Sequence, residues 1–173
     1  PAGIAATIQA KRMGKTALLL EPTTHVGGLT SSGLGYTDTG DKSVIGGISL
    51  EFYRLVKKHY DQQGSWPLED RTKFAGYRPS SDAMWVFEPK VAESILKNMI
   101  ENAGVKLILG ARLDRGKGKG VKKTDGRIQT IELVSGEIFQ GRMFIDSTYE
   151  GDLLAQAGVS STIGRESNKT YGE

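Results

Sequence analysis

Four stretches of the chain carry residue types and spacings that chemistry can use. The first is Pro1-Ala2-Gly3, followed by the alanine-rich Ile4-Ala5-Ala6. A dinucleotide-binding fold opens with a strand, a glycine-rich turn and a helix whose N-terminus faces a pyrophosphate. Free N–H groups and the helix dipole favour an anion there. Gly3 then takes the place of the last glycine of the turn, where a side chain would obstruct helix–strand packing. The second is Glu21, 18 residues after Gly3 at the end of the apolar run Ala17-Leu18-Leu19-Leu20. An acid about 20 residues on is the partner of a ribose 2′-hydroxyl. Its carboxylate accepts two hydroxyl hydrogen bonds and repels a 2′-phosphate. The third is Thr24-His25-Val26-Gly27-Gly28-Leu29-Thr30-Ser31-Ser32-Gly33. A glycine doublet lets the backbone approach a flat or anionic group closely. The hydroxyls of Thr30, Ser31 and Ser32 suit ribityl or phosphate oxygens. The fourth is Asp146-Ser147-Thr148-Tyr149-Glu150-Gly151-Asp152. Its acids admit an acid/base or glycosidase reading, or a structural one in which Asp146 caps the turn and Asp152 starts a helix.

Each stretch needs an element to hold it. Residues 4–13 predict a helix stopped by Gly14, and Lys15 to Glu21 a short buried strand. Pro22 to Gly47 reads as loop, Ser49 to Gln62 as helix, and Gly64 to Asp82 as irregular. Pro89 to Ala103 is the clearest helix. Proline suits its first turn, Val91, Ile95 and Met99 recur every four residues with Ala92 and Leu96 beside them, and Gly104 ends it. Val105 to Leu109 predicts a buried strand. Leu113 to Ile145 reads as a meander turning at Asp125-Gly126 and Ser135-Gly136, with Met143-Phe144-Ile145 as a last strand before a short helix near Asp152 to Ala157. The order predicts an α/β fold: a Rossmann-like parallel sheet with an antiparallel β-meander insert. It is expected as a single domain over 1–173, with a partly irregular helical insertion at 48–88 and the meander at 111–143.

Composition narrows the function classes. At 38% hydrophobic and 25% charged residues, the chain fits a soluble globular protein. Its 23 glycines exceed average usage for 173 residues. The net charge of +3 sits largely in Lys117, Lys119, Lys122 and Lys123, a run without aromatics that reads as a solvated hairpin loop. No nucleic-acid partner and no membrane span are expected, the longest apolar run being four residues, 17–20. The absence of cysteine removes disulfides and thiolate metal sites. His25 and His59 are the only histidines and are not at metal spacing, so no metal site is expected. Trp66, Trp85 and Phe87 read as core aromatics.

Taken together, Pro1-Ala2-Gly3-Ile4-Ala5-Ala6, Leu18-Leu19-Leu20-Glu21-Pro22 and Val26-Gly27-Gly28-Leu29-Thr30-Ser31-Ser32-Gly33-Leu34 resemble the FAD-dependent oxidoreductases of the glutathione-reductase-like flavoprotein class. A bacterial group in which some members carry the label "xanthan lyase" is the nearer likeness. Phe144 to Gly158 and Gly164-Arg165-Glu166-Ser167 continue it. The resemblance implies FAD as cofactor, a small-molecule substrate, and hydride transfer at flavin N5. It implies that Ala2 and Gly3 lie by the pyrophosphate, that Glu21 with Pro22 serves the adenosine ribose, and that Gly27, Gly28, Leu29, Thr30 and Ser31 line the path toward the flavin. Arg112 and Leu113 would contact adenine, and Ser147 and Thr148 would turn toward the flavin. Tyr149 stands where that turn commonly has glycine. No catalytic residue is assigned. On this reading the chain is the front part of such an enzyme, truncated at both ends and expected to hold FAD weakly or not at all when expressed alone. A nucleotide-binding module without redox role and a carbohydrate-active, lyase-type enzyme are the alternatives.

Overall fold

The computed structural model describes residues 1–38, 40–162 and 164–172. The chain divides into two compact units, Pro1–Gly110 and Ala111–Glu173. It is a mixed α/β protein with a parallel two-stranded sheet and an antiparallel three-stranded one.

The first unit begins with α1 (Ala2–Arg12) and β1 (Leu18–Glu21). It continues through α2 (Gly47–Tyr60) and α3 (Pro89–Asn102) to β2 (Lys106–Leu109). Helices α1 and α3 end in the same way. The residue after Gly14 or Gly104 bonds back to the helix carbonyl five residues earlier (Lys15 N to Ala10 O, 2.9 Å; Val105 N to Ile100 O, 3.1 Å), with the glycine left-handed. The predicted stripe of α3 is its buried face: Val91, Ala92, Ile95, Leu96, Met99 and Ile100. Each of these side chains except Ala92 contributes about 1.5–3 kcal/mol by leaving water, so α3 is the central support of the unit. Ile4 and Ile8 of α1, Phe52, Val56 and Tyr60 of α2, and Val26 of the loop after β1 pack on it in one cluster. Phe87 joins that cluster and Trp66 packs against it, as expected of core aromatics.

Strands β1 and β2 pair in parallel, Leu18 with Lys106 through Glu21 with Leu109. Both are shorter than the sequence predicts, and β1 is half-buried along its length rather than buried. Each is an edge of a two-stranded sheet, so neither is covered as a central parallel strand would be.

Residues 61–88 are irregular but tied down. Lys57 of α2, 5% exposed, places its ammonium 2.5 Å from Asp61 Oδ1 and 4.7 Å over the Tyr77 ring. The Tyr77 hydroxyl donates to the same oxygen at 2.6 Å. Burial alone would raise the Asp61 carboxyl; the bonds from Lys57 and Tyr77 outweigh it and hold it below the usual range. Tyr60 OH accepts from Glu88 N at 2.9 Å, joining the end of α2 to the start of α3, and burial pushes its phenol up to about 12. The loop after β1 is zipped onto the segment before α3: Phe87 N donates to Gly35 O at 2.8 Å and Thr37 N to Trp85 O at 2.9 Å, with Tyr36 bridged to Val86. The approach is so close that a Cβ at Gly35 would lie 2.0 Å from the Phe87 carbonyl oxygen.

The second unit is the expected meander, β3 (Val121–Thr124), β4 (Arg127–Glu132) and β5 (Ile138–Gln140), followed by α4 (Asp152–Gln156). Asp125 and Gly126 turn with φ of 50° and 76°, the sign a tight two-residue hairpin demands. A register shift falls between Lys122 and Lys123. One predicted element is absent: Met143-Phe144-Ile145 forms no ladder, and Met143 and Ile145 are 81% and 68% exposed. An apolar run becomes a strand only where a neighbour takes its N–H and C=O groups, and none of the described strands does so.

Candidate functional site

The first unit holds nine of the sequence-predicted site residues: two at the start of α1, two at the end of β1 and five on the loop that packs against α3. Helix α1 starts at Ala2 behind Pro1, with no side chain capping it and no acid in its first turn. Its first N–H groups are therefore not satisfied within the helix. Ala2 is exposed and Gly3 half-buried. The Glu21 carboxylate and the start of α1 lie within electrostatic reach of each other.

Glu21 closes β1, half-buried, with Pro22 exposed after it. Its Oε1 accepts two bonds, from Thr23 N at 2.9 Å and from Thr23 Oγ at 2.8 Å. Oε2 accepts from none of the described residues. The sequence reading expected the whole carboxylate to be available; one oxygen is already engaged. Thr23 was not singled out from the sequence, although a short polar side chain two residues past an acid is a recognised local turn partner.

Gly27 and Gly28 are both left-handed, at φ 105° and 54°. A Cβ on Gly27 would lie 2.6 Å from Leu96 Cδ1 of α3 and 2.7 Å from Ser31 Oγ, so Gly27 packs directly against α3. From Gly28 to Ser31 the chain makes one 3₁₀ turn. Ser31 Oγ donates to Val26 O at 2.5 Å, with Gly28 O at 3.2 Å, so its proton serves the loop itself. Thr30 is half-buried, and Leu29 is 51% exposed. His25 lies on the same loop, mostly exposed, with Nδ1 3.1 Å from Glu93 Oε1 on α3. Glu93 also pairs with Lys97 at 2.8 Å, and those bonds hold its carboxyl below the usual range against the opposing effect of burial.

The second unit holds the other four. Arg112 O accepts from Val134 N at 2.9 Å, and Leu113 bridges Leu133, fixing both beside the end of β4. Ser147 is exposed. Thr148 is central to a closed turn: its N and Oγ donate to Asp146 Oδ1 at 2.9 and 2.7 Å, and its Oγ accepts from Gly151 N at 3.0 Å. Asp146 Oδ2 takes Leu154 N at 2.9 Å. Burial raises the Asp146 carboxyl, but this set of donors outweighs it and holds the group below its ordinary value. The structural reading of these acids holds: Asp146 caps and Asp152 begins α4. Tyr149 is 67% exposed.

Among the described residues no group of three acids or histidines is placed to hold a metal, and no helix is long and apolar enough to cross a membrane. An open groove of about 550 Å³ lies between α1 and α2, lined by Arg12, Ile48, Glu51 and Leu55 among others; none of the sequence-predicted site residues lines it. The sequence model of one protein family, described as FAD dependent oxidoreductase, matches residues 1–173. No curated protein matches the chain.

Proposed function

The chain belongs to the FAD dependent oxidoreductase family, with FAD as cofactor and flavin-dependent redox chemistry as its function, and from that premise we propose that its first unit seats the ADP half of FAD in a Rossmann-like manner. Ala2 and Gly3 at the start of α1 receive the pyrophosphate, Glu21 with Pro22 receives the adenosine ribose, and Gly27 to Ser31 lead toward the flavin. The observation that carries this reading is Glu21: an acid at the end of a parallel strand, facing a helix start without cap or acid, with Oε2 accepting from none of the described residues. Those features suit a diphosphate and a vicinal diol.

The chemistry that FAD supplies when bound is hydride transfer between a small-molecule substrate and flavin N5. The protein's own part is to bind, orient and exclude water. Ser31 acts by holding the Gly27-Gly28 turn closed rather than by donating outward. In the second unit, Arg112, Leu113 and Ser147 are assigned as cofactor contacts on the strength of the family resemblance, and Thr148 as the residue that shapes the turn beside them. The glutathione-reductase-like class is the subdivision we favour, on the order of helix, acid and glycine doublet.

Replacing Glu21 with Gln in the full-length holoprotein tests the reading. A bond to a charged group is worth about 1.5–3 kcal/mol, so FAD affinity should fall about 10- to 100-fold. Flavin content after gel filtration and a fluorescence titration of deflavinated protein both report it. Unchanged affinity would refute the ribose assignment.

A further inference from the structure

We propose that Thr23 is a positioning residue for FAD binding: it grips the Glu21 carboxylate by Oε1 so that Oε2 alone is offered to the ribose diol. The inference rests on the reading of Glu21 given above and goes one residue beyond it.

A carboxylate oxygen accommodates about two donors, and Thr23 supplies both to Oε1, one from the backbone at 2.9 Å and one from the hydroxyl at 2.8 Å. The Thr23 hydroxyl has one proton and two acceptors at 2.8 Å, Glu21 Oε1 and His25 O. The ionised carboxylate is the stronger acceptor and takes it. The same hydroxyl oxygen accepts His25 N at 3.2 Å, so the link continues into the loop. From there it reaches α3 through His25 and Glu93, 3.1 Å apart. Thr23 itself is fixed from the other side, its carbonyl accepting Gly110 N at 2.9 Å just past β2. The acid is thus referenced to β2 and to the best-buried helix of the unit.

The physical benefit is preorganisation. A free glutamate gives up rotamer entropy when a ligand immobilises it. Holding Oε1 beforehand removes part of that cost from binding. It also fixes a full negative charge in one place, which strengthens discrimination against a phosphate at the same ribose position.

The experiment is a double-mutant cycle on the deflavinated full-length protein, read as FAD affinity by quenching of flavin fluorescence. Thr23→Val should weaken binding about fivefold, the share of the glutamate's ordering cost that the hydroxyl removes beforehand. Thr23→Ser keeps the hydroxyl and should bind within about twofold of the parent. In the Glu21→Gln background the Thr23→Val penalty should shrink below about twofold, since coupled residues are not additive. A loop-folding role for Thr23 would leave that penalty undiminished, and this outcome overturns the proposal. So does tight binding by Thr23→Val when Glu21→Gln is weak, a result that leaves the ribose assignment standing. If Glu21→Gln itself binds normally, the ribose assignment fails and the positioning role fails with it.

Discussion

At the residue scale, Asp146 makes a prediction that is separate from the cofactor. Its carboxyl is held below the ordinary value by Thr148 and by the backbone at the start of α4. A group whose folded pKa is depressed contributes stability above its unfolded pKa of about 3.9 and loses it as pH falls through the lower folded value. Urea unfolding should therefore show Asp146→Asn less stable than the parent by about 1 kcal/mol near pH 6. The gap should close as pH drops below about 4; a constant gap across that range would remove the ionised cap as its cause. Asp146 as a cap was legible in the sequence because an acid beside Ser147 and Thr148 ahead of Asp152 has few other local partners. Glu21 was legible too, from its place at the end of an apolar run. That Thr23 occupies Glu21 Oε1 was not, because the bond depends on side-chain rotamers on either side of Pro22.

At the scale of elements, α2 holds the irregular segment 61–88 through one buried cation. Lys57 is 5% exposed while the Asp61 side chain is 46% exposed. Removing the acid strands an ammonium in the core, whereas removing the lysine leaves a carboxylate that water can reach. Asp61→Ala should then cost about 2–4 kcal/mol, discounted from a fully buried pair because Asp61 is half in solvent. Lys57→Met should cost less, under about 1.5 kcal/mol, by keeping the volume. Equilibrium denaturation ranks the two, and the reverse order would contradict the burial seen here. The sequence pattern found α2 and α3 because their apolar residues repeat at helical spacing, and α3 also carries Pro89 at its start and Gly104 just past its end. Val56 and Lys57 are both buried, and a lysine there becomes possible only once Asp61 and Tyr77, from a segment without periodicity, fold back to receive it.

For the whole molecule, stability should be uneven. The large buried cluster lies within Pro1–Gly110, centred on α3. The second unit buries few large side chains, chiefly Ile131 and Leu133. Amides of α3 should exchange slowest and those of β3, β4 and β5 distinctly faster. Hydrogen exchange read by mass spectrometry decides it, and a sheet as protected as α3 would refute the ranking. The α/β class and the meander could be read from the chain because turns such as Asp125-Gly126 are local. The width of the parallel sheet could not. Whether Met143-Phe144-Ile145 pairs depends on a neighbour rather than on its own side chains, and the same dependence leaves β1 half-buried.

Gly35 carries a consequence for how variation at this locus would be interpreted. Its α-carbon sits against the Phe87 carbonyl with no room for a methyl group. Every other amino acid is shut out by backbone, not by a ligand. In a deep mutational scan the position would appear as invariant as Gly27, eight residues earlier, and would invite the label of cofactor contact. The constraint belongs instead to the zipper between residues 35–37 and 85–87, so an intolerant glycine beside a proposed cofactor loop is a sign of chain crossing chain before it is a sign of binding.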